Sequence, residues 1–143
     1  MMPNPPPNAR RSWLWPVAIA ALIFLASSQS KLAGPDVEGS DKVVHFSVYG
    51  LLATFVVRLR PGKRWALTSI LLVSLYGASD EWHQSFTPGR SVELADWIAD
   101  TAGAALAVIL YTWWPAYQRM MERPVRRNGR IENSAPLESV SKS

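Results

Sequence analysis

The 143 residues of this chain suffice for a single domain, and their composition is unlike that of a typical soluble one. Charged residues make up 18% of the chain and hydrophobic residues 48%. A soluble domain carries about 25% charged residues. The 7 Trp residues favour a membrane interface, and the absence of Cys excludes disulfides and thiolate chemistry.

Four apolar segments follow one another along the chain and predict four membrane-spanning helices, since roughly 20 apolar residues cross a bilayer. They are residues 12–28, 43–59, 65–81 and 94–117. Loops with Gly, Pro and charged residues separate them. The first segment is short, so a cleaved signal peptide is the alternative for it. The residues that follow it contain no clear A-x-A cleavage site for a signal peptidase, so we expect an uncleaved helix.

The predicted fold class is therefore an all-α membrane protein, a bundle of four transmembrane helices with short loops. The chain divides into a disordered N-terminal lead, the four-helix membrane domain and a basic, mostly disordered cytoplasmic tail, which are residues 1–12, 13–117 and 118–143. A soluble four-helix bundle is the competing fold. Soluble helices need a polar stripe, and these segments are apolar on all faces.

The distribution of charge predicts the orientation of the four helices. Four spans place both termini on one side, together with the basic turn at residues 60–64. That side carries 12 of the 15 Lys and Arg residues but only three of the 11 acids. The positive-inside rule then puts both termini in the cytoplasm of a multi-pass protein of the cell inner membrane. The basic surplus is a topology signal, and we expect no nucleic-acid partner.

Polar residues from three of these helices are predicted to meet at the outer membrane face. Asp41, His45 and Tyr49 are spaced i, i+4, i+8 and share one face of the second helix. Asp96 and Asp100 share one face of the fourth helix, where Gly103 and Ala107 allow a neighbouring helix to come close. Ionisable residues at membrane depth are costly, so such a group indicates a functional site.

The end of the third helix completes this group. Asp80 and Glu81 differ in direction by about 100°, so they cannot both point equally well into one groove. His83 falls in a predicted surface loop. Arg90 is the arginine on the predicted outer side of the membrane, and its planar guanidinium can bind a carboxylate or a phosphate through two hydrogen bonds. The candidate binding residues are Asp41, Lys42, His45, Tyr49, Asp80, Glu81, Gln84, Arg90, Asp96 and Asp100.

Four motifs in this order resemble the VanZ-like membrane proteins. They are D-K-x-x-H-F-x-x-Y-G-x-L from residue 41, Y-x-x-x-D-E-x-H-Q from 76, F-T-P-G-R from 86 and D-x-x-x-D-x-x-G from 96. The resemblance adds Phe46, Phe86 and Gly103 to the functional residues. Family members often have Asn where this chain has Asp100. The resemblance implies a bacterial cell-envelope protein, and the founding member is tied to low-level teicoplanin resistance, although most members occur in bacteria without that resistance cluster.

Two functions from different classes remain open for this group. In the first, an accessory membrane protein binds a lipid headgroup or a lipid-linked cell-wall precursor through Lys42 and Arg90, and an oligomer is compatible with so small a bundle. The acid surplus would repel an anion unless it is neutralised. In the second, a metal-assisted membrane enzyme acts on a phosphate-containing lipid or glycan. The sequence does not decide whether the protein is an enzyme.

The enzymatic alternative depends on a small set of acid–base and ligand residues. Its catalytic candidates are His45, Asp80 and Glu81, and Asp96 joins these three as candidate metal ligands. Such a set accepts a divalent cation, because carboxylates suit Mg²⁺, Ca²⁺ or Mn²⁺ and imidazole suits Zn²⁺. The G-x-S-x-G, Walker A and H-E-x-x-H motifs are absent from the sequence.

Overall fold

The computed structural model describes residues 13–29, 40–60 and 62–122. This part of the chain is all helical, with no strand, which confirms the predicted class of secondary structure. The helices are α1 (Leu14–Ser27), α2 (Ser40–Val57), α3 (Lys63–Gln84), α4 (Leu94–Trp113) and α5 (Pro115–Met121). Among them α4 is long and apolar enough to cross a membrane by length and composition, and α1 is apolar but shorter.

Three differences between the observed and predicted helix boundaries change the positions of predicted residues. Helix α2 begins at Ser40, which places Asp41 inside the first turn. Helix α3 continues to Gln84, so His83 lies in the helix and the predicted loop position was wrong. The single helix predicted over residues 94–117 is broken at Trp114, because Pro115 lacks an N–H donor and forces the preceding residue into an extended conformation. Residues 1–12 of the predicted lead and 123–143 of the tail lie outside the described residues.

Helices α1 to α4 alternate in direction, as contacts at both ends show. At one end the Trp13 and Trp65 rings meet edge to face, with their centroids 6.5 Å apart, and Trp65 Nε1 donates to the Val56 carbonyl at 3.1 Å. At the other end Ser27 Oγ donates to Asp80 Oδ2 at 2.8 Å. The starts of α2 and α4 and the ends of α1 and α3 therefore lie together.

The core lies where α2 packs against α4 and α3. It includes Tyr49, Leu52, Ala53, Val57, Val73, Ala104 and Val108. The closest approach is at Gly103, where a Cβ atom would collide with the backbone of Phe46, and a Cβ at Gly50 would lie 3.2 Å from the Gly103 carbonyl oxygen. The prediction that a small residue at position 103 admits a neighbouring helix is confirmed, and α2 is that helix.

Helix α5 turns back onto the opposite end of α2. Arg58 Nε donates to Glu122 Oε1 at 3.1 Å, and the Tyr111 hydroxyl donates to the same oxygen at 2.7 Å. Thr54 and Tyr117 share a hydrogen bond of 3.3 Å. These contacts form a second, smaller polar group. It lies at the end of the bundle opposite the predicted site residues.

Candidate functional site

All ten predicted site residues lie at one end of the bundle, which we call the polar cluster. Its members are Asp41, Lys42, His45, Tyr49, Asp80, Glu81, Gln84, Arg90, Asp96 and Asp100, together with Glu93. The carboxylates of Asp80, Glu81, Asp96 and Asp100 are buried, with Asp100 wholly so. Buried carboxylates are rare unless they are paired or bind a cation. The cluster is thus a costly feature of the fold.

Lys42 connects the start of α2 to the start of α4. Its Nζ lies 3.2 Å from Asp41 Oδ2, 3.0 Å from Glu93 Oε2 and 3.3 Å from Asp96 Oδ1. The hydrogen bond from Lys42 holds the pKa of Glu93 below its ordinary value, and the bond to Glu93 raises the pKa of Lys42. Glu93 was not among the candidate binding residues predicted from the sequence. Glu93 binds Lys42, which lies 51 residues earlier in the chain, so the pair is not visible in the local sequence.

His45 and Asp100 form the deepest pair of the cluster. His45 Nδ1 lies 2.9 Å from Asp100 Oδ1, and the His45 ring stacks on Tyr49 with centroids 6.1 Å apart. Asp100 fits because Gly77 of α3 has no side chain, and a Cβ there would lie 2.8 Å from Asp100 Oδ2. Sequence reasoning missed Gly77, although a glycine inside a helix is the signal that could have indicated a close approach.

Asp80 faces α1, a helix that the sequence did not connect to the site. Ser27 Oγ and Gln84 Nε2 both donate to Asp80 Oδ2, at 2.8 and 3.1 Å. Glu81 turns instead toward α4, where its Oε2 accepts the backbone N–H of Glu93 at 3.0 Å. The predicted divergence of Asp80 and Glu81 is confirmed, because each carboxylate meets a different helix.

Arg90 reaches neutral acceptors. It donates to the carbonyls of Gln29 and Ala26 at 3.4 and 3.3 Å and to Gln84 Oε1 at 3.4 Å. Within residues 13–29, 40–60 and 62–122, no carboxylate lies within 4 Å of its guanidinium nitrogens. These hydrogen bonds are long, since N–H···O distances usually fall between about 2.7 and 3.2 Å. Arg90 therefore keeps most of its capacity for a charged acceptor.

Several buried polar atoms of the cluster have no hydrogen-bond partner among the described residues. They are the Tyr49 hydroxyl, Asp80 Oδ1, Glu81 Oε1, Asp96 Oδ1 and Asp100 Oδ2. Asp96 Oδ1 has Lys42 within ion-pair distance but outside hydrogen-bond geometry. An unsatisfied buried polar group costs about 1–3 kcal/mol, and more when it is charged. Such atoms mark the cluster as a candidate binding site, because buried polar groups normally have a protein, water or ion partner.

A cavity of about 150 Å³ opens between α1, α2 and α3 beside these atoms. Its polar lining consists of Ser27, His45, Tyr49, Asp80, Gln84 and Arg90, and its apolar lining of Ile23, Ala26, Val44 and Val48. An apolar cavity with a few converging polar groups is the usual form of a small-molecule site.

Two groups of residues bring possible metal-ligand atoms within 4.8 Å of one another. One is His45, Glu81 and Asp96, and the other is Asp41, Glu93 and Asp96. Lys42 already bridges the three carboxylates of the second group. Asp80, the fourth candidate ligand, belongs to neither group in the described part of the chain.

The fold and the site together define a small helical protein with a buried, carboxylate-rich cluster at one end. The sequence model of the VanZ/LLP1 family matches residues 12–115, most of the chain, so the protein belongs to that family. This match confirms the resemblance to the VanZ-like family that the four sequence motifs indicated. No curated protein and no solved structure matches the chain.

Proposed function

We propose that this VanZ/LLP1 protein crosses the cytoplasmic membrane four times and binds a phosphate-bearing, hydroxyl-bearing lipid headgroup in its outward-facing cavity. Both termini lie in the cytoplasm in this proposal. The ligand is a membrane lipid or a lipid-linked cell-wall precursor, since both carry the same headgroup chemistry. The protein then serves the cell envelope as a binding or accessory component.

The outer surface of the bundle supports the membrane part of the proposal. Large apolar side chains are exposed on each of α1 to α4, among them Leu22, Leu25, Val43, Leu51, Leu67, Leu71, Leu75, Ile98 and Ile109. The carboxylates of Asp80, Glu81, Asp96 and Asp100 are buried inside the bundle. A soluble protein rarely exposes so much contiguous apolar surface, whereas lipid accommodates it.

The proposed topology predicts opposite labelling of two engineered cysteines, and the chain has no native Cys to interfere. Ser91→Cys lies in the exposed loop at the polar end, and Lys63→Cys lies at the opposite end of the bundle. A membrane-impermeant maleimide should label Ser91→Cys in intact cells and label Lys63→Cys only after lysis. The reverse pattern would invert the topology, and equal labelling of both in intact cells would exclude it.

One observation carries the headgroup proposal: weakly satisfied polar groups converge on the same cavity. The Tyr49 hydroxyl is buried beside Asp80 without a hydrogen bond of good geometry, and the Arg90 N–H groups make long bonds to neutral atoms. Arg90 suits phosphate oxygens, because a guanidinium binds phosphate with two parallel bonds. Asp80 Oδ1 can accept a hydrogen bond from a ligand hydroxyl.

The size of the cavity limits what enters it. The cavity has a volume of about 150 Å³ and is partly open to the outside. This is room for a phosphate or a small polyol and too little for an oligosaccharide. A lipid-linked precursor would therefore place its phosphate in the cavity and its sugars outside.

The acid surplus of the cluster is partly offset before any ligand binds. Lys42 lies within ion-pair distance of Asp41, Glu93 and Asp96, so it is not a free phosphate-binding cation. Among the described residues, Arg90 is the cation that lines the cavity. The proposal therefore rests on Arg90 rather than on both cations.

Replacing Arg90 with alanine is expected to weaken headgroup binding at least tenfold, since a charge-assisted hydrogen bond is worth about 1.5–3 kcal/mol. Native mass spectrometry of the detergent-purified protein measures this with phosphatidylglycerol, a polyprenyl-phosphate sugar and phosphatidylcholine. Tighter binding of the first identifies a bulk lipid, and tighter binding of the second a precursor carrier. Phosphatidylcholine should bind weakly because its headgroup has no hydroxyl to donate to Asp80.

Arg119→Ala is the matched control, because Arg119 is an exposed arginine on α5 at the opposite end of the bundle. It should bind the same lipids as the unmodified protein. Equal affinity of Arg90→Ala and Arg119→Ala would exclude Arg90 as the phosphate-binding residue. Equal binding of phosphatidylcholine would exclude a hydroxyl-bearing headgroup.

A further inference from the structure

Three side chains from three different helices converge inside the polar cluster. His45 lies on α2, Glu81 on α3 and Asp96 on α4, and each offers a ligand atom within 4.8 Å of those of the other two. Glu81 and Asp96 are buried, and His45 is partly so. Imidazole nitrogen and carboxylate oxygen both bind zinc, and a catalytic zinc has three protein ligands with a further position open to a solvent or substrate atom.

His45 has a hydrogen-bond partner of the kind that metal-binding histidines have. Asp100 Oδ1 lies 2.9 Å from His45 Nδ1, and a neutral His45 ring that donates its Nδ1–H to Asp100 keeps its lone pair on Nε2. Metal-binding histidines almost always donate their second nitrogen to a carboxylate or carbonyl in this way. Asp100 is wholly buried, so its carboxylate has no solvent to bind and stays on His45.

Glu81 supplies an independent indication that the cluster can bind a cation. Its Oε2 accepts the backbone N–H of Glu93, and its Oε1 has no hydrogen-bond partner in the described part of the chain. The residue is only 4% exposed, so water does not satisfy that oxygen freely. An unpartnered carboxylate oxygen beside a second carboxylate is unfavourable, because like charges repel and neither is solvated.

We propose that His45, Glu81 and Asp96 bind one divalent transition-metal ion, Zn²⁺ or Mn²⁺, with Asp100 as the residue that positions His45. Imidazole selects these ions over Mg²⁺ and Ca²⁺, which prefer oxygen ligands. The ion offsets the charges of Glu81 and Asp100, which Lys42 does not contact. Asp96 is shared between Lys42 and the metal.

The proposed ion lies next to the headgroup cavity, because His45 lines that cavity as well. A bound cation would add attraction for phosphate to that of Arg90. It would also provide the Lewis acid that the enzymatic alternative requires. The metal site goes beyond headgroup binding and stands on its own geometry, so either proposal can fail while the other holds.

The test is metal loading of the full-length protein, purified through a tag without histidine and stripped with EDTA. Zn²⁺, Mn²⁺ or Mg²⁺ is added, unbound ion is removed by gel filtration, and bound metal is measured by elemental analysis. We expect about one Zn²⁺ or Mn²⁺ per chain, little Mg²⁺, and a higher melting temperature with the bound ion, since a ligand that binds only the folded state stabilises it. Absence of retained Zn²⁺ and Mn²⁺ with an unchanged melting temperature would overturn the proposal.

Variants locate the ion. Glu81→Gln should lose the bound metal, and Asp100→Asn should weaken its affinity by about tenfold or more through His45. Glu122→Gln, a matched change at the opposite end of the bundle, should keep it. If Glu81→Gln binds metal as tightly as Glu122→Gln, the site lies elsewhere and the assignment is wrong. Arg90→Ala should retain the metal, which separates this result from the headgroup test.

Discussion

His45→Ala is expected to lower the free energy of unfolding by about 3 kcal/mol, because it leaves the Asp100 carboxylate buried without a partner. Asp100 Oδ1 loses its only hydrogen bond among the described residues, and Oδ2 has none to begin with. The surrounding carboxylates of Asp80 and Asp96 give no compensation, since they carry the same charge. The measurement is denaturant or thermal unfolding in micelles, with EDTA present so that no metal contributes.

A double variant distinguishes the loss of the charge partner from a simple loss of packing. Adding Asp100→Asn to His45→Ala removes the orphaned charge and should recover part of the lost stability, whereas a packing defect would not respond. His83→Ala is the matched control, because the chain has two histidines and His83 only stacks on Phe24 and contacts Ser28 at the surface. It should cost less than about 1 kcal/mol. Equal effects of the two histidine variants would contradict the buried pair.

Gly103→Ala is the second change expected to have a large effect, with a loss of about 3 kcal/mol. A Cβ at this position would collide with the carbonyl group of Phe46, which is backbone and cannot rotate away. Helices α2 and α4 must then separate, and overpacking of this kind costs about 1–3 kcal/mol or more. The change should also weaken the polar cluster, because Lys42 and His45 bind residues of α4 from α2.

Ala102→Val provides the comparison for Gly103→Ala on the same helix. Ala102 is exposed, so two added methyl groups have room, and we expect a change of less than about 0.5 kcal/mol. Melting temperatures of the two variants in one detergent make the test. A Gly103→Ala protein as stable as Ala102→Val would show that α2 and α4 do not approach as closely as the structure has them.

The two predictions divide the residues that resemble the VanZ motifs into different physical roles. Gly103 and Phe46 form the backbone contact that joins α2 to α4, so their importance is structural. His45, Asp80 and Arg90 line the cavity and are candidates for contact with a ligand. Phe86 is largely exposed in the loop after α3, where it packs against Trp82. A motif thus combines packing residues with site residues, and spacing alone does not separate them.

Local periodicity predicted a substantial part of the site. The spacing of Asp41, His45 and Tyr49 on one helix, and the rotation between Asp80 and Glu81, follow from helix geometry and need no neighbouring helix. The alternation of four helices then placed three polar helix ends together. The break at Trp114 was also present in the sequence as Pro115, although the predicted fourth helix ran through it.

Helical structure and the apolar character of the segments could be read from the sequence, because these properties depend on residues within a turn or two of one another. The partners of the individual polar groups could not be read from it. Ser27 donates a hydrogen bond to Asp80, and Lys42 donates one to Glu93. The absence of a side chain at Gly77 leaves space for Asp100. These contacts join residues that are far apart in the chain, and they depend on how closely and at what rotation the helices pack, which the pattern of a single helix does not contain.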